Sequence, residues 1–405
     1  MPRRSPAKVD GTTSTPVILL GTTVTVLGAL RLFAHRRIPA FVLSRDPDIE
    51  ASSRWYRPLP LPPGEDADPA RLESLLEHLP FEAAVLMPCT DSWARAVAGL
   101  RSSLAERFPA SQADAAAIAT LSDKGRFAGL ADGLGIPHPR TLVLRDVEEF
   151  DSLPDERFLG SFLKPRNSEA FYRRYRRKAT SFKTRAEARA LFIEFSEAGL
   201  DCVLQEYVPG PATSHYFVDG FVDRSGRVLA RFVRRRLRQW PADFGNNAYN
   251  MSVPLRDVQE AVTMVDRLIA GLRYRGIFSA EFKVDERTGE FKIIEVNCRA
   301  YWFVGFAASC GVDVCDLAYR DALRLPTEHV DRYDEGKRCH FLTMDWPACR
   351  ALHRSGHLTA GSWARSWMTG TDLTFARDDP VPGLRTFVNL ALETVRHPTS
   401  GTVVP

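Results

Sequence analysis

The sequence predicts an α/β protein that contains both parallel and antiparallel strands. Residues 17–21 (VILLG) and 39–44 (PAFVLS) are short apolar segments of strand length, and residues 26–37 between them have the pattern of a helix. Strand, helix and strand at this spacing indicate a βαβ unit with a parallel sheet. Two turn sequences, DRSG (223–226) and DERTG (285–289), separate strand-like segments and predict antiparallel hairpins.

The chain divides into a tail, two domains and an extension. Its 405 residues are enough for two or three domains with cores of their own. We expect residues 1–14 to be a disordered tail and residues 15–118 to form a small Rossmann-like domain, because strands and helices alternate there. Residues 119–325 contain both hairpins and are predicted to be a second domain, and residues 326–405 are a C-terminal extension.

Local patterns predict the remaining elements in chain order. A capping box, Thr184 and Glu187, opens one of the helices, and Ser122 is the expected N-cap of another that closes at Gly135. In the Rossmann-like domain we expect a helix at 71–79, a strand at 83–88 and one helix over 93–108. Beyond it we expect a helix that opens at Ser122 and closes at Gly135 and Pro137, a strand at 162–165, a helix at 184–199, a strand at 202–210 that ends in a turn, and a helix at 255–272.

The second hairpin carries an informative polar pattern. If the chain turns within DERTG, Glu281 lies directly opposite Glu295, with Asn297 on the same strand face. Two carboxylates this close need a counter-ion, and with an amide oxygen they form a hard oxygen-ligand set that suits Mg²⁺. The pattern alone also fits a solvent-facing hairpin whose glutamates pair with Lys283 and Lys292. The apolar residues around Glu295 favour burial and therefore the metal interpretation.

The segment AEFKVD…FKIIEVNCR resembles the metal-binding hairpin of the ATP-grasp superfamily. This resemblance implies that Glu281, Glu295 and Asn297 bind Mg²⁺ ions, with Mn²⁺ as an alternative, that bridge the phosphates of ATP. It also implies that Arg299 contacts the transferred phosphate or a bound carboxylate. The usual Asn-Pro-Arg is Asn-Cys-Arg here, and the change at Cys298 leaves the ligands in place.

Further segments occur in the order in which the superfamily has them. The fold implied is an ATP-grasp fold with an N-terminal Rossmann-like domain, a lid subdomain at roughly 140–210 and a C-terminal mixed-sheet subdomain for nucleotide and metal. Arg238, in an RQ-x-P context, is the implied contact of the γ-phosphate. The residues that the resemblance implies for nucleotide binding are Lys124 and Lys164 on the phosphates, Lys178 in the lid, and Gln205, Glu206, Tyr207 and Val208 at the adenine edge.

Two basic segments keep alternative interpretations at this stage. The run RYRRKATSFKTR (174–185) interleaves cations with aromatic residues, so it fits a nucleic-acid contact or a solvated loop as well as a lid that closes on triphosphate. Its position between Lys164 and Glu206 favours the lid. Arg234, Arg236 and Arg238 share one strand face, which suits carboxylate and phosphate capture but also an exposed edge strand.

The function implied by the resemblance is ATP-dependent ligation. The carboxylate–amine ligase-like branch shares EFK-x-D, RQ-x-P…G and a C-terminal W…DP-x-P with this chain. Such an enzyme forms an amide or peptide bond through an acyl phosphate, releases ADP and phosphate, and commonly acts on amino acids or peptides. A small-molecule kinase and a nucleotide-binding module without turnover are the alternatives.

Composition narrows the partners and the location. The net charge of +4 gives no reason to expect nucleic acid or membrane, so small-molecule acids and amines are the expected partners, and a homodimer is left open. The seven cysteines include no C-x-x-C pair, which predicts reduced thiols in a cytoplasm. The basic and apolar start resembles a signal peptide, but Gly21–Thr23 interrupt it.

Overall fold

The computed structural model describes residues 14–61, 66–166, 168–175 and 177–396. These residues form three β-sheets with helices packed against them. Of the tail predicted at 1–14, all but Ser14 lies outside the described residues. Within the described residues no helix is both long and apolar enough to cross a bilayer.

The strands and α-helices follow in chain order. The strands are β1 (Val17–Leu20), β2 (Ala40–Leu43), β3 (Val85–Pro88), β4 (Thr141–Leu144), β5 (Ser161–Pro165), β6 (Cys202–Glu206), β7 (His215–Val222), β8 (Val228–Trp240), β9 (Asn246–Ser252), β10 (Gly276–Val284), β11 (Phe291–Asn297), β12 (Arg338–His340) and β13 (Thr371–Asp372). The helices are α1 (Thr23–His35), α2 (Leu72–Glu77), α3 (Asp91–Ala98), α4 (Ser102–Arg107), α5 (Ala115–Ser122), α6 (Lys124–Gly133), α7 (Val147–Ser152), α8 (Ser168–Tyr175), α9 (Arg185–Glu197), α10 (Gln259–Leu272), α11 (Val304–Ser309), α12 (Val314–Ala322), α13 (Leu342–Arg354), α14 (Ala360–Thr369) and α15 (Val381–Arg396).

The N-terminal sheet is parallel, in the order β2-β1-β3. β1, α1 and β2 form the predicted βαβ unit, and all four residues of β1 are fully buried, as a strand covered on both faces must be. The single helix predicted over 93–108 is instead two, because α3 ends before Gly99 and α4 begins at Ser102. Glycine is a weak helix former, which explains the break.

A small antiparallel sheet, in the order β4-β6-β5, occupies the segment predicted as the lid subdomain. Its apolar face packs against α7, α8 and α9 through a phenylalanine-rich cluster. The predicted cap Thr184 is present, since its hydroxyl accepts from the Glu187 amide. The expected cap Ser122 is wrong: Ser122 ends α5, and Asp123 caps α6 by accepting from the amides of Gly125 and Arg126.

The large sheet has the order β11-β10-β7-β8-β9-β12-β13. Both predicted hairpins are present, β7–β8 around DRSG and β10–β11 around DERTG. One face packs on α5, α6 and α10, and the other on α1, α11 and α12, so the sheet is the middle layer of the molecule. The segment predicted as a C-terminal extension supplies β12 and β13 to the edge of this sheet, and α13 packs against β8 and β9.

Candidate active site

The β10–β11 hairpin has the predicted register. Glu281 pairs with Glu295 and Ser279 pairs with Asn297, so that the three proposed ligands lie on adjacent strands at one end of the hairpin. The chain reverses at Asp285–Gly289, where the Gly289 amide donates to the Asp285 carbonyl at 2.7 Å. A register shift follows Glu281, and such a bulge re-aims side chains next to it.

Glu281 is a mostly buried carboxylate, 13% exposed, that is held by two donors. Its Oε1 atom accepts from Arg236 Nη2 at 2.8 Å and from His215 Nδ1 at 2.8 Å. Burial alone would raise the pKa of Glu281, but Arg236, His215 and Lys178 together hold that pKa well below its usual range. Burial and Arg236 lower the pKa of His215 to about 4. The histidine is therefore neutral at pH 7 and donates from Nδ1 to an ionised carboxylate.

Glu295 is more accessible than Glu281 and faces lysines. Its side chain is 38% exposed, and Lys164 Nζ lies 3.9 Å from Oε2. Lys124, at the start of α6, interacts electrostatically with both Glu295 and Lys164, and burial followed by the charge of Lys164 lowers the pKa of Lys124 to about 8. Lys178 interacts with both glutamates. The cations predicted from three separate segments thus converge on the acidic pair.

Arg299 joins the hairpin to the N-terminal domain. Its Nη2 donates to Asn297 Oδ1 at 3.1 Å, and its Nε donates to Asp91 Oδ1 at 2.6 Å. Although burial opposes the charge, Asp91 raises the pKa of Arg299. The predicted arginine therefore lies beside a proposed metal ligand, held in position by the first residue of α3.

The three arginines of β8 have different partners. Arg234 pairs with the buried Asp219 at 2.7 Å, and Arg236 reaches Glu281. Arg238 donates from Nε and Nη2 to the two carboxylate oxygens of Asp345 on α13, each at 2.7 Å. Its described side-chain contacts are thus with the C-terminal segment and with the ring of Tyr249 on β9, and not with the hairpin. The geometry favours Arg236 in the role expected of Arg238, because Arg236 contacts Glu281, and the pairing of β8 with β9 is irregular between the two residues.

The segment predicted to meet adenine is partly occupied by contacts within the protein. Gln205 is buried and donates to the Thr141 hydroxyl at 2.9 Å. The Glu206 carboxylate accepts from Arg287 at 2.5 Å and lies 3.5 Å from Lys292, so its side chain serves an ion cluster. Val208 is buried.

Tyr207 is the accessible residue of this segment. Its ring is 40% exposed and lies near two other rings, with centroids 6.5 Å from Phe162 and 6.2 Å from Phe244. Lys283 Nζ is 4.7 Å from the same ring. These side chains form an aromatic and cationic surface that suits a planar base.

The predicted lid run is attached to the small sheet. Thr180 pairs with Leu163 of β5 through two backbone hydrogen bonds of 2.9 and 3.0 Å. Within the described residues of 174–185 this pairing places Lys178 next to the strand that carries Lys164. The arrangement fits a segment that borders the acidic pair better than a solvated loop remote from it.

A cavity of about 510 Å³ opens beside Glu295 and Asn297. Its wall comes from α3 of the N-terminal domain, from α5 and α6, from the small-sheet subdomain and from the hairpin. The charged lining residues from these parts include Asp91, Arg95, Asp123, Lys124, Arg126, Arg166, Asp201 and Glu295. The hairpin carboxylate therefore faces a space large enough for a small polar substrate.

The donor set fits a magnesium ion that also takes ligands from phosphate. Within the part of the chain that the structure describes, no three His, Cys, Asp or Glu side chains converge as a metal cluster. The hairpin offers two carboxylates and one amide oxygen, and Mg²⁺ is usually bound by one or two carboxylates together with substrate phosphates and water. The second oxygen of Glu281 and the exposed Glu295 are the groups that would hold it.

Sequence reasoning missed three residues of this site. The sequence predicts that Arg236 lies on a basic strand face, but it does not predict the contact with Glu281. It also gives no prediction for His215 and Asp91. His215 begins strand β7 and Asp91 begins helix α3, so neither position carries a local signal. Only the pairing of β7 with β10, and the docking of α3 near the hairpin, bring them into the site.

Comparison with known proteins supports the same fold. No protein-family model matches the chain. A D-aspartate ligase of Enterococcus faecium (strain Aus0004) is 26% identical over 303 residues, or 70% of each chain. The L-amino acid ligase from Bacillus licheniformis superposes with a TM-score of 0.58 at 15% identity, over 78% of this chain and 76% of that chain. The biotin carboxylase domain of Hydrogenobacter thermophilus 2-oxoglutarate carboxylase gives a TM-score of 0.62 at 18% identity, over 80% and 73%.

The sheet topology and these superpositions show that the chain has the ATP-grasp fold. The fold predicted from the hairpin motif is therefore confirmed, and the chain is similar in sequence to a carboxylate–amine ligase, the D-aspartate ligase.

Proposed function

We propose that this protein joins a small carboxylic acid to an amine in two steps, through an acyl phosphate, with an amino acid or a peptide as substrate. ATP-dependent carboxylate–amine ligation is the chemistry of the branch that the chain resembles. The name of the D-aspartate ligase relative supports an amino acid as one of the substrates. The reduced state expected of the seven buried, free cysteines supports a cytoplasmic location.

The observation that carries the proposal is the convergence of cations on two opposed carboxylates. Arg236 contacts Glu281, and Lys164 contacts Glu295. Lys124 and Lys178 interact electrostatically with the same acidic pair. A protein that only binds a nucleotide needs few charged side chains at its site. An enzyme that transfers a phosphoryl group must also stabilise the charge on the oxygens of that group. The site supplies that stabilisation from side chains of four separate segments.

The first step transfers the γ-phosphoryl group to the acid. A carboxylate oxygen of the substrate attacks the γ-phosphorus, the bond to the β–γ bridging oxygen breaks, and ADP leaves. Lys124, Lys164 and Lys178 offset the charge of the phosphates, and Arg236 and Arg299 orient the reacting groups. Mg²⁺ on Glu281, Glu295 and Asn297 would supply further charge neutralisation on the phosphate oxygens.

The second step forms the C–N bond. The amine nitrogen attacks the acyl carbon, the C–O bond to phosphate breaks, and inorganic phosphate leaves as the nitrogen loses a proton. The cavity beside Glu295 and Asn297 provides space for the amine next to the acyl phosphate. Water must be kept out of this space, because hydrolysis of the acyl phosphate competes with ligation.

The test is a matrix of amino acids, singly and in pairs, assayed for ADP and inorganic phosphate. We expect both products only when an acid and an amine are present together. ADP without free phosphate would identify a kinase that stops after the first step, and no turnover with any pair would favour a binding module. With a ¹⁸O-labelled carboxylate, one labelled oxygen per turnover should appear in inorganic phosphate. Label in AMP would refute the acyl phosphate route.

A further inference from the structure

Exposed apolar side chains are concentrated on one helix. Ten large apolar side chains are exposed among the side chains that the structure describes, and six of them lie between residues 375 and 392. Single exposed apolar residues are normal, but a contiguous group marks an interaction surface. We call this group the α15 stripe, and its members are Phe375, Val381, Leu384, Phe387, Val388 and Leu392.

The α15 stripe is a second apolar face on an already packed helix. Spacings of three and four residues place Val381, Leu384, Val388 and Leu392 on the same side of α15. The opposite side is buried, with Leu390 at 5% exposure. Burial of the inner face is enough to dock the helix, so the outer apolar face is not required by the fold of one chain.

The helix is anchored at its start by a buried carboxylate. Asp379 accepts from Arg31 Nε at 3.0 Å, from the Ser53 hydroxyl at 2.8 Å and from the Arg54 amide at 3.0 Å. All three donors belong to the N-terminal domain. The α15 stripe is therefore presented on a rigid support, which lowers the entropy lost on binding.

The segments of the chain outside the described residues do not match this surface. Residues 397–405, HPTSGTVVP, carry two valines, and residues 1–13, MPRRSPAKVDGTT, carry one valine and three basic residues. Six large side chains need more apolar partners than either segment has. A membrane surface is also a poor match, because the polar face of a membrane-surface helix is rich in Lys and Arg. The exposed charged residues described between Phe375 and Leu392 are instead two arginines and one aspartate, Arg377, Arg385 and Asp378.

We propose that the α15 stripe pairs with the same stripe of a second copy of this chain. In an antiparallel pair with its twofold axis at Val388, Leu384 of one copy faces Leu392 of the other, and the two Val388 side chains meet. Such a contact is isologous and closes as a dimer. The side chains of the stripe are uncharged, and Leu384 and Leu392 are equivalent about Val388, as an isologous contact requires.

The available area is sufficient for a specific contact. The six side chains are 48–55% exposed. With roughly 200 Å² for a large fully exposed residue, they present roughly 600 Å² per copy. Two copies therefore bury about 1,200 Å², which lies at the lower end of specific interfaces. We therefore expect a dimer that dissociates on dilution.

The test is the mass of the full-length protein in solution as a function of concentration, by sedimentation or light scattering. The wild-type chain of 45.4 kDa should approach twice that mass as concentration rises. Val388→Glu and Val388→Lys should each be monomeric, because like charges meet at the axis. An equimolar mixture of the two variants should recover the dimer. Leu325→Glu, which places the same charge on an exposed leucine outside the stripe, is the matched control and should dimerise like wild type.

Three results would overturn the proposal. One is a wild-type protein that stays monomeric at every concentration, whether or not it binds lipid vesicles. The second is a Val388→Glu variant that dimerises like wild type, which would place the contact elsewhere. The third is a mixture of the two charged variants that stays monomeric while circular dichroism shows both to be folded. ADP formation per chain provides a second check on folding, because Val388 has no described contact with the site residues and is far from them in the sequence.

Discussion

Arg236 and Arg238 lie two residues apart on the same strand, and their replacement by methionine should have opposite effects. Methionine keeps much of the apolar volume of arginine and removes the charge. Arg238→Met leaves Asp345, which is fully buried, without its bidentate partner. Removal of one partner of a buried ion pair costs about 3–5 kcal/mol of the free energy of unfolding. Because Arg238 does not contact the hairpin, kcat of the folded fraction should change by less than about tenfold.

Arg236→Met should give the reverse result. The variant removes the donor to Glu281 Oε1 and one cation from the phosphate region, and loss of a comparable donor lowers kcat by about 10²–10³. The assays are urea unfolding, with ADP formation at saturating ATP on the same samples. A double variant, Arg238→Met with Asp345→Asn, removes the unpaired charge and should regain most of the lost stability. The reasoning is refuted if Arg238→Met lowers kcat by about 10²-fold while its free energy of unfolding stays equal to that of the wild type.

The remaining predictions concern the acidic pair and its cations. Glu295→Gln should abolish turnover at an unchanged melting temperature, and near-wild-type rates would reject the metal assignment. Lys178→Ala should raise KM for ATP; if it weakened single-stranded nucleic-acid binding instead, the lid interpretation would be wrong. Since burial and a neighbouring cation lower the pKa of Lys124 to about 8, its charge is lost as pH rises through 8, so KM for ATP should increase there and Lys124→Arg should flatten that increase. Arg299→Ala should cut ¹⁸O transfer by about 10²-fold or more, and Asp91→Asn, which only releases Arg299, should have a smaller effect.

Local sequence was sufficient for the features that depend on neighbouring residues. The β10–β11 register follows from strand periodicity and a short turn, so the opposition of Glu281 and Glu295 was predictable before any tertiary contact was known. The βαβ unit at the N-terminus was predictable for the same reason. The cap of α6 was assigned one residue early, to Ser122, because two short helices meet at that point and both Ser and Asp are good caps.

Tertiary structure decided which charged side chains are free to act. The basic residues Arg236 and Arg238 are equivalent in sequence, and only the docking of α13, which brings Asp345 to one of them, distinguishes a structural arginine from one at the site. The Glu206 carboxylate likewise forms ion pairs with Arg287 and Lys292 of the second hairpin, so it is not free to contact a ligand. A side chain's partner is set by whichever segment packs against it, often a hundred residues away. Residue type and spacing therefore determine what chemistry a segment offers, and packing determines which of its groups remain available.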